Sequence, residues 1–107
     1  MTLMVKDKSR KLIEMTFLDE KLSHLGDLES IEVDYKRTFS VDDSYSHFFE
    51  VLSGAAVIAT TWREMPESDE VTGLFTLKAG EAALFLPGEP FLVKPGQDSQ
   101  VSEFVLR

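Results

Sequence analysis

The sequence predicts an all-β domain with one helix near its start, on three observations. From Ser30 onward, short runs rich in β-branched and aromatic residues recur at brief intervals. The breaks between them are turn-forming pairs, namely Ser53-Gly54, Ala79-Gly80, Pro87-Gly88 and Pro95-Gly96. Alternating strand–helix units are absent, which excludes a dinucleotide-binding α/β fold. Six or seven short strands and at most one helix point to an antiparallel sandwich or a small barrel.

Each element follows from its own residues. Leu12, Met15, Leu18, Leu22 and Leu25 recur at three- and four-residue steps, so an amphipathic helix is expected to end near Gly26. Residues 1–28 are therefore read as a helical or irregular segment packed outside a β-barrel formed by residues 29–107 of a single 1–107 domain. IEVDYKRTF, from Ile31, alternates in part, and YSHFFEVL and AAVIATTW are strongly β-prone. Met65 to Asp69 forms a polar, proline-containing loop. VTGLFTL, AALFL, FLV and QVSEFVLR complete the strand series. In YSHFFEVL the two-residue period puts Tyr45, His47, Phe49 and Val51 on one face and Ser46, Phe48, Glu50 and Leu52 on the other. Apolar residues on both faces require two covers: the interior on one side, and a partner subunit or helix on the other.

Bulk composition narrows the partners. At 107 residues with 43% hydrophobic content, one domain with a real core is expected. There are no cysteines, which removes disulfides, thiolate metal sites and cysteine nucleophiles and fits a cytoplasmic setting. No apolar stretch reaches bilayer length, and no apolar core of a secretion signal follows MTLMVKDKSRK. The net charge of −8 opposes nucleic acid and anionic membrane as partners. Lys6, Lys8, Arg10 and Lys11 form a basic cluster read as a solvated segment. Outward Phe48 and Leu52, with Phe104-Val105-Leu106, would leave apolar area exposed, so a symmetric homodimer is expected.

The segments FFEVLSG and GEAALFLP resemble the two motifs of the cupin superfamily, with Gly54 as the first-motif glycine and Gly80 and Pro87 in the second. More narrowly the chain is similar to the YhcH/YjgK/YiaL family, which includes the small subunit of an evolved β-galactosidase. That family tends to place six residues between the second-motif glycine and proline, as Glu81 to Leu86 do here. Its aromatic-led first strand matches YSHFFEVLSG, with Tyr45 in the tyrosine position. The likeness covers Ile31 to Arg107 and implies a double-stranded β-helix, or jelly-roll, barrel with a short N-terminal helix. It also implies where metal ligands would stand, and they are not there. The acidic ligand position falls on His47, a histidine position on Asp42, a second acidic position on Ser40 and the last histidine on Phe91. A phenyl ring offers no lone pair, so no metal and no other cofactor is expected.

Three functions remain open. The first is binding of a small molecule, which the resemblance implies to be a sugar or sugar acid, in the barrel cavity. Tyr45, Phe49, Trp62 and Phe91 would supply walls, and His47 with Asp42 hydrogen bonds. The second is a sugar isomerase in which His47 transfers the proton and Asp42 polarises it. The third is a non-catalytic accessory subunit. Each residue also has a plain structural reading: Asp42-Asp43-Ser44 as a turn, His47 as a packed histidine, Trp62 as a core edge and Glu89 as a solvated turn residue.

Overall fold

A computed structural model describes residues 1–28, 40–60 and 73–107. The expected Ile31 strand, the Met65–Asp69 loop and Trp62 lie outside them. The described elements run β1 (Thr2–Val5), α1 (Lys6–Thr16), β2 (Leu22–Leu28), β3 (Ser46–Ser53), β4 (Ala55–Thr60), β5 (Gly73–Lys78), β6 (Glu81–Phe85), β7 (Leu92–Pro95) and β8 (Gln100–Leu106). They form one five-stranded sheet in the order β1-β6-β3-β8-β2 and one three-stranded sheet in the order β5-β4-β7. Every pairing is antiparallel. The described residues are thus mostly β with one short helix, as the turn spacing predicts.

The six β-prone runs from YSHFFEVL to QVSEFVLR supply β3 to β8. Two turns show why their residues are needed. Gly54, between β3 and β4, has φ +75°, and an added Cβ would overlap the Ser99 side chain. The same Ser99 hydroxyl accepts the Ala55 N–H at 3.0 Å. Gly88 has φ 84° in Leu86-Pro87-Gly88-Glu89, where the Glu89 N–H donates to the Leu86 carbonyl at 3.1 Å. Proline followed by a glycine at positive φ is the chemistry of a type II turn.

The N-terminal segment departs from expectation. The helix stops at Thr16, and Leu22–Leu28 is a strand on β8 rather than a continuation of the helix. Lys21 and Arg107 exchange backbone hydrogen bonds of 2.8 and 2.9 Å, so the ladder starts just before β2. Ser23, His24 and Gly26 are weak helix formers, and pairing to a buried strand outweighs the leucine spacing. Among the described strands, residues 1–28 therefore contribute both outermost strands of the larger sheet. The helix also turns a different face inward: Ser9 and Ile13 are buried, while Leu12 and Met15 are exposed.

Two clusters make the core. Phe49, Val51, Ala83, Phe85 and Val101 of the larger sheet meet Ala56, Ile58 and Leu77 of the smaller one, with Phe91 beside them. On the outer face Met4, Phe48, Ala82, Leu84 and Leu106 pack under Ile13 of α1, joined by Phe17. Phe48 is 0% exposed, so its outer cover is this chain's own helix, while Leu52 at the far end of the same face stays exposed. Burying such a ring is worth about 1.5–3 kcal/mol.

Candidate functional site

The site lies where β3 begins. Strand alternation sends His47, Phe49 and Val51 inward, and antiparallel pairing sets His47 opposite Phe85 on β6 and Val105 on β8. Asp42 reaches His47 because residues 40–42 are stitched to the turn before β7. Ser40 and Phe91 exchange two backbone hydrogen bonds of 2.9 Å, and the Gly88 N–H donates to the Asp42 carbonyl at 2.6 Å. The Asp42 side chain also closes a turn on itself, accepting the Ser44 N–H at 2.7 Å. The turn expected for Asp42-Asp43-Ser44 and a contact with His47 therefore coexist.

His47 Nε2 lies 2.8 Å from Asp42 Oδ2. The hydrogen bond from His47 holds the Asp42 carboxyl below its ordinary value, helped by the Ser44 N–H. An ionised carboxylate only accepts, so Nε2–H is the donor. The other ring nitrogen, Nδ1, is buried and has no hydrogen-bond partner among the described residues. The imidazole is 9% exposed and sits against Phe91, with ring centres 5.0 Å apart, and stacks at 6.3 Å on Phe49. Phe91 in turn touches Phe49 at 5.3 Å and Phe85 at 5.0 Å, so three phenyl rings enclose the inner side of the histidine. Asp42, about one-third exposed, stands at its outer side.

One further group belongs here. Glu103 on β8 pairs with Phe49 and so lies on the inward face, diagonal to His47. Burial pushes its carboxyl above the ordinary range, with the charge of His47 acting in the opposite direction. Its signal is present in the sequence: in Val101-Ser-Glu-Phe-Val105 the carboxylate takes the same phase as two core valines.

Of the expected wall residues, His47, Phe49 and Phe91 come together with Asp42. Tyr45 does not join them. Pairing starts only at Ser46, and Tyr45 instead borders an open groove of about 550 Å³ with Ser44, Asp19, Glu20 and Arg107. The Arg107 guanidinium lies 5.7 Å from the centre of the tyrosine ring. Glu89 holds the fold together, since its carboxylate accepts the Leu86 N–H at 3.2 Å and pairs with the Met1 ammonium. Among the described residues no three His, Asp or Glu side chains converge as a metal site. The polar groups here are the paired His47 imidazole and accepting Asp42 carboxylate, with Glu103 diagonal on β8, suited to hydrogen bonding with hydroxyl groups. No protein-family model and no curated protein sequence matches this chain.

Proposed function

We propose that the protein is a cupin-like jelly-roll domain that binds a small polyhydroxylated molecule, a sugar, at the Asp42–His47 end of the sandwich, without a tightly held metal ion. The two antiparallel sheets sharing one core support the barrel reading, as does β6 lying between the turn at Gly80 and Pro87. The observation that carries the binding reading is the state of His47. Its outer nitrogen is bonded to a carboxylate at 2.8 Å, and its inner nitrogen is buried without a partner among the described residues. An unsatisfied buried polar atom costs about 1–3 kcal/mol, so an imidazole kept among phenyl rings in this way serves something other than stability.

The electrostatics choose within the sugar class. Asp42 is held below its ordinary value and so carries charge at neutral pH, while burial raises the Glu103 carboxyl. A ligand carboxylate would be repelled, whereas hydroxyl groups donate to Asp42 and a C–H face packs against an aromatic edge. Neutral sugars are therefore favoured over sugar acids. Thermal-shift titration of the protein with matched neutral sugars and sugar acids tests this. Stabilisation by neutral members, lost in His47→Ala and in Asp42→Ala, supports the reading. An equal response of wild type and both variants removes the site. Stoichiometric, tight uptake of zinc, nickel or copper would end the metal-free part.

The same hydrogen bond favours a second reading, proton transfer in a sugar isomerisation. In the tautomer that donates Nε2–H to Asp42 the ring lone pair lies on Nδ1, and the carboxylate favours that tautomer. Deuterium wash-in at the carbon next to a sugar carbonyl, abolished by His47→Gln and slowed by Asp42→Asn, distinguishes catalysis from binding.

A further inference from the structure

Where α1 ends, the open groove of about 550 Å³ lies between the turn leading to β2, the start of β3 and the end of β8. That volume is within the range common for small-molecule sites, roughly 300–1,000 Å³. Its apolar lining includes Leu106 and Phe17, which pack in the cluster beneath α1, with Leu86 alongside. Ser46 borders it as well. Strand alternation puts Ser46 on the opposite face of β3 from His47, so the groove is separate from the Asp42–His47 end. Ser46 is 3% exposed, and its hydroxyl makes no hydrogen bond among the described residues. A hydroxyl that deep costs stability until it is satisfied, and the groove beside it is where a partner can enter.

Charges of both signs stand around this lining. The turn after α1, closed by the Glu20 N–H donating to the Phe17 carbonyl at 3.1 Å, brings Asp19 and Glu20 to the groove. The backbone hydrogen bonds between Lys21 and Arg107 bring Arg107 to it. There the guanidinium, 5.7 Å from the centre of the Tyr45 ring, is steadied over an aromatic face. Asp19, Glu20 and Arg107 share the groove, yet none is in an ion pair among the described residues. A simple cation would meet Arg107, and a simple anion would meet two carboxylates. A molecule bearing both charges satisfies both, and an apolar group on it suits the wall between them. We propose that this groove binds a free α-amino acid with an apolar side chain. Its ammonium is held by Asp19 and Glu20, and its carboxylate by Arg107 and the Ser46 hydroxyl. Its side chain lies against Phe17, Leu86 and Leu106. A guanidinium donates in a fork that matches a carboxylate, and a serine hydroxyl donates to the same acceptor.

Calorimetric titration of the whole chain with L-leucine and L-phenylalanine tests this. Saturable binding at a single site, in the micromolar to millimolar range, is expected. Glycine, N-acetyl-leucine and leucine amide should each bind about tenfold or more weakly, because each lacks one of the three contacts. Ser46→Ala should weaken leucine by a few-fold. Arg107→Gln should weaken leucine by about tenfold while leaving leucine amide nearly unchanged, since the amide has no carboxylate to lose. Asp19→Asn combined with Glu20→Gln should do the converse, weakening leucine and sparing N-acetyl-leucine. A merely structural role for these side chains would shift both members of each pair together. No saturable binding of either amino acid, equal binding of the blocked forms, or parallel losses in Arg107→Gln overturns the proposal. So does leucine amide binding more tightly than leucine, which would assign the groove to amines instead.

Discussion

The two faces of β3 are built from one eight-residue run, yet they are covered in different ways. The inward face meets strands from distant parts of the chain: Ala56 and Ile58 on β4 and Leu77 on β5, with Phe91 before β7. The outward face meets a helix that arrives from the N-terminal segment. The outward cover over Phe48 is apolar at Ile13, Met4 and Leu84. The inward face admits His47 and Glu103 at one end, where Asp42 opens to water. Both faces bury polar groups, but the outward Glu50 meets Arg10 at 3.8 Å, whereas the inward His47 keeps a ring nitrogen without a partner among the described residues, and that difference marks where a ligand is expected.

Substitutions on the two faces sharpen that contrast. The largest loss is expected from Phe48→Ala, about 3–5 kcal/mol in urea or thermal unfolding, because the ring is wholly enclosed. Phe91→Ala should fall at or below the bottom of that range, since its ring is 8% exposed at the rim and solvent can enter the space left behind. Equal losses at the two positions would show that the site end is packed as tightly as the helix side.

Smaller effects follow from charge. Glu103→Gln should raise the melting temperature at neutral pH. The folded state holds the Glu103 carboxyl above its ordinary 4.5, so it binds the proton more tightly than the unfolded chain does. The stability linked to that proton is full below 4.5 and is lost as pH rises, so the gain from the amide should grow from pH 4.5 upward. Asp42→Asn has the opposite sign. The folded state holds Asp42 below its ordinary 3.8, so its contribution is present above that value and vanishes on further acidification. Melting curves of wild type and Asp42→Asn should differ at neutral pH and converge in acid. A difference that persists in acid would separate Asp42 from the His47 hydrogen bond.

The strand region is readable in the sequence because its signals are local. Pro87-Gly88 and Ser53-Gly54 mark turns by dihedral preference alone, and FFEV alternates in a way that demands covers on both sides. The helix is half readable. Its existence follows from periodicity, but Leu22 and Leu25 continue the same spacing into residues that pair with β8, and that competition is decided by a strand some eighty positions away. The buried face is hidden for a related reason: Leu12 and Met15 carry the hydrophobic signal, while the sheet beneath takes Ser9 and Ile13. At the site, Asp42 and His47 are recognisable as chemistry-bearing residues. Their meeting depends on the Ser40–Phe91 bridge, which no local pattern encodes. Tyr45 misleads because alternation extends one residue before pairing begins.

The order of strands across the larger sheet has a consequence for biosynthesis. Among the described strands, β2 has β8 as its one neighbour in that sheet, and β1 has β6. Strand β2 must therefore wait for β8 to be synthesised before it can dock. Until then Met4, Ile13 and Phe17 have no completed sheet beneath them. A nascent chain halted before Gln100 should stay sensitive to protease along Leu22–Leu28, and release of β8 should protect both strands together.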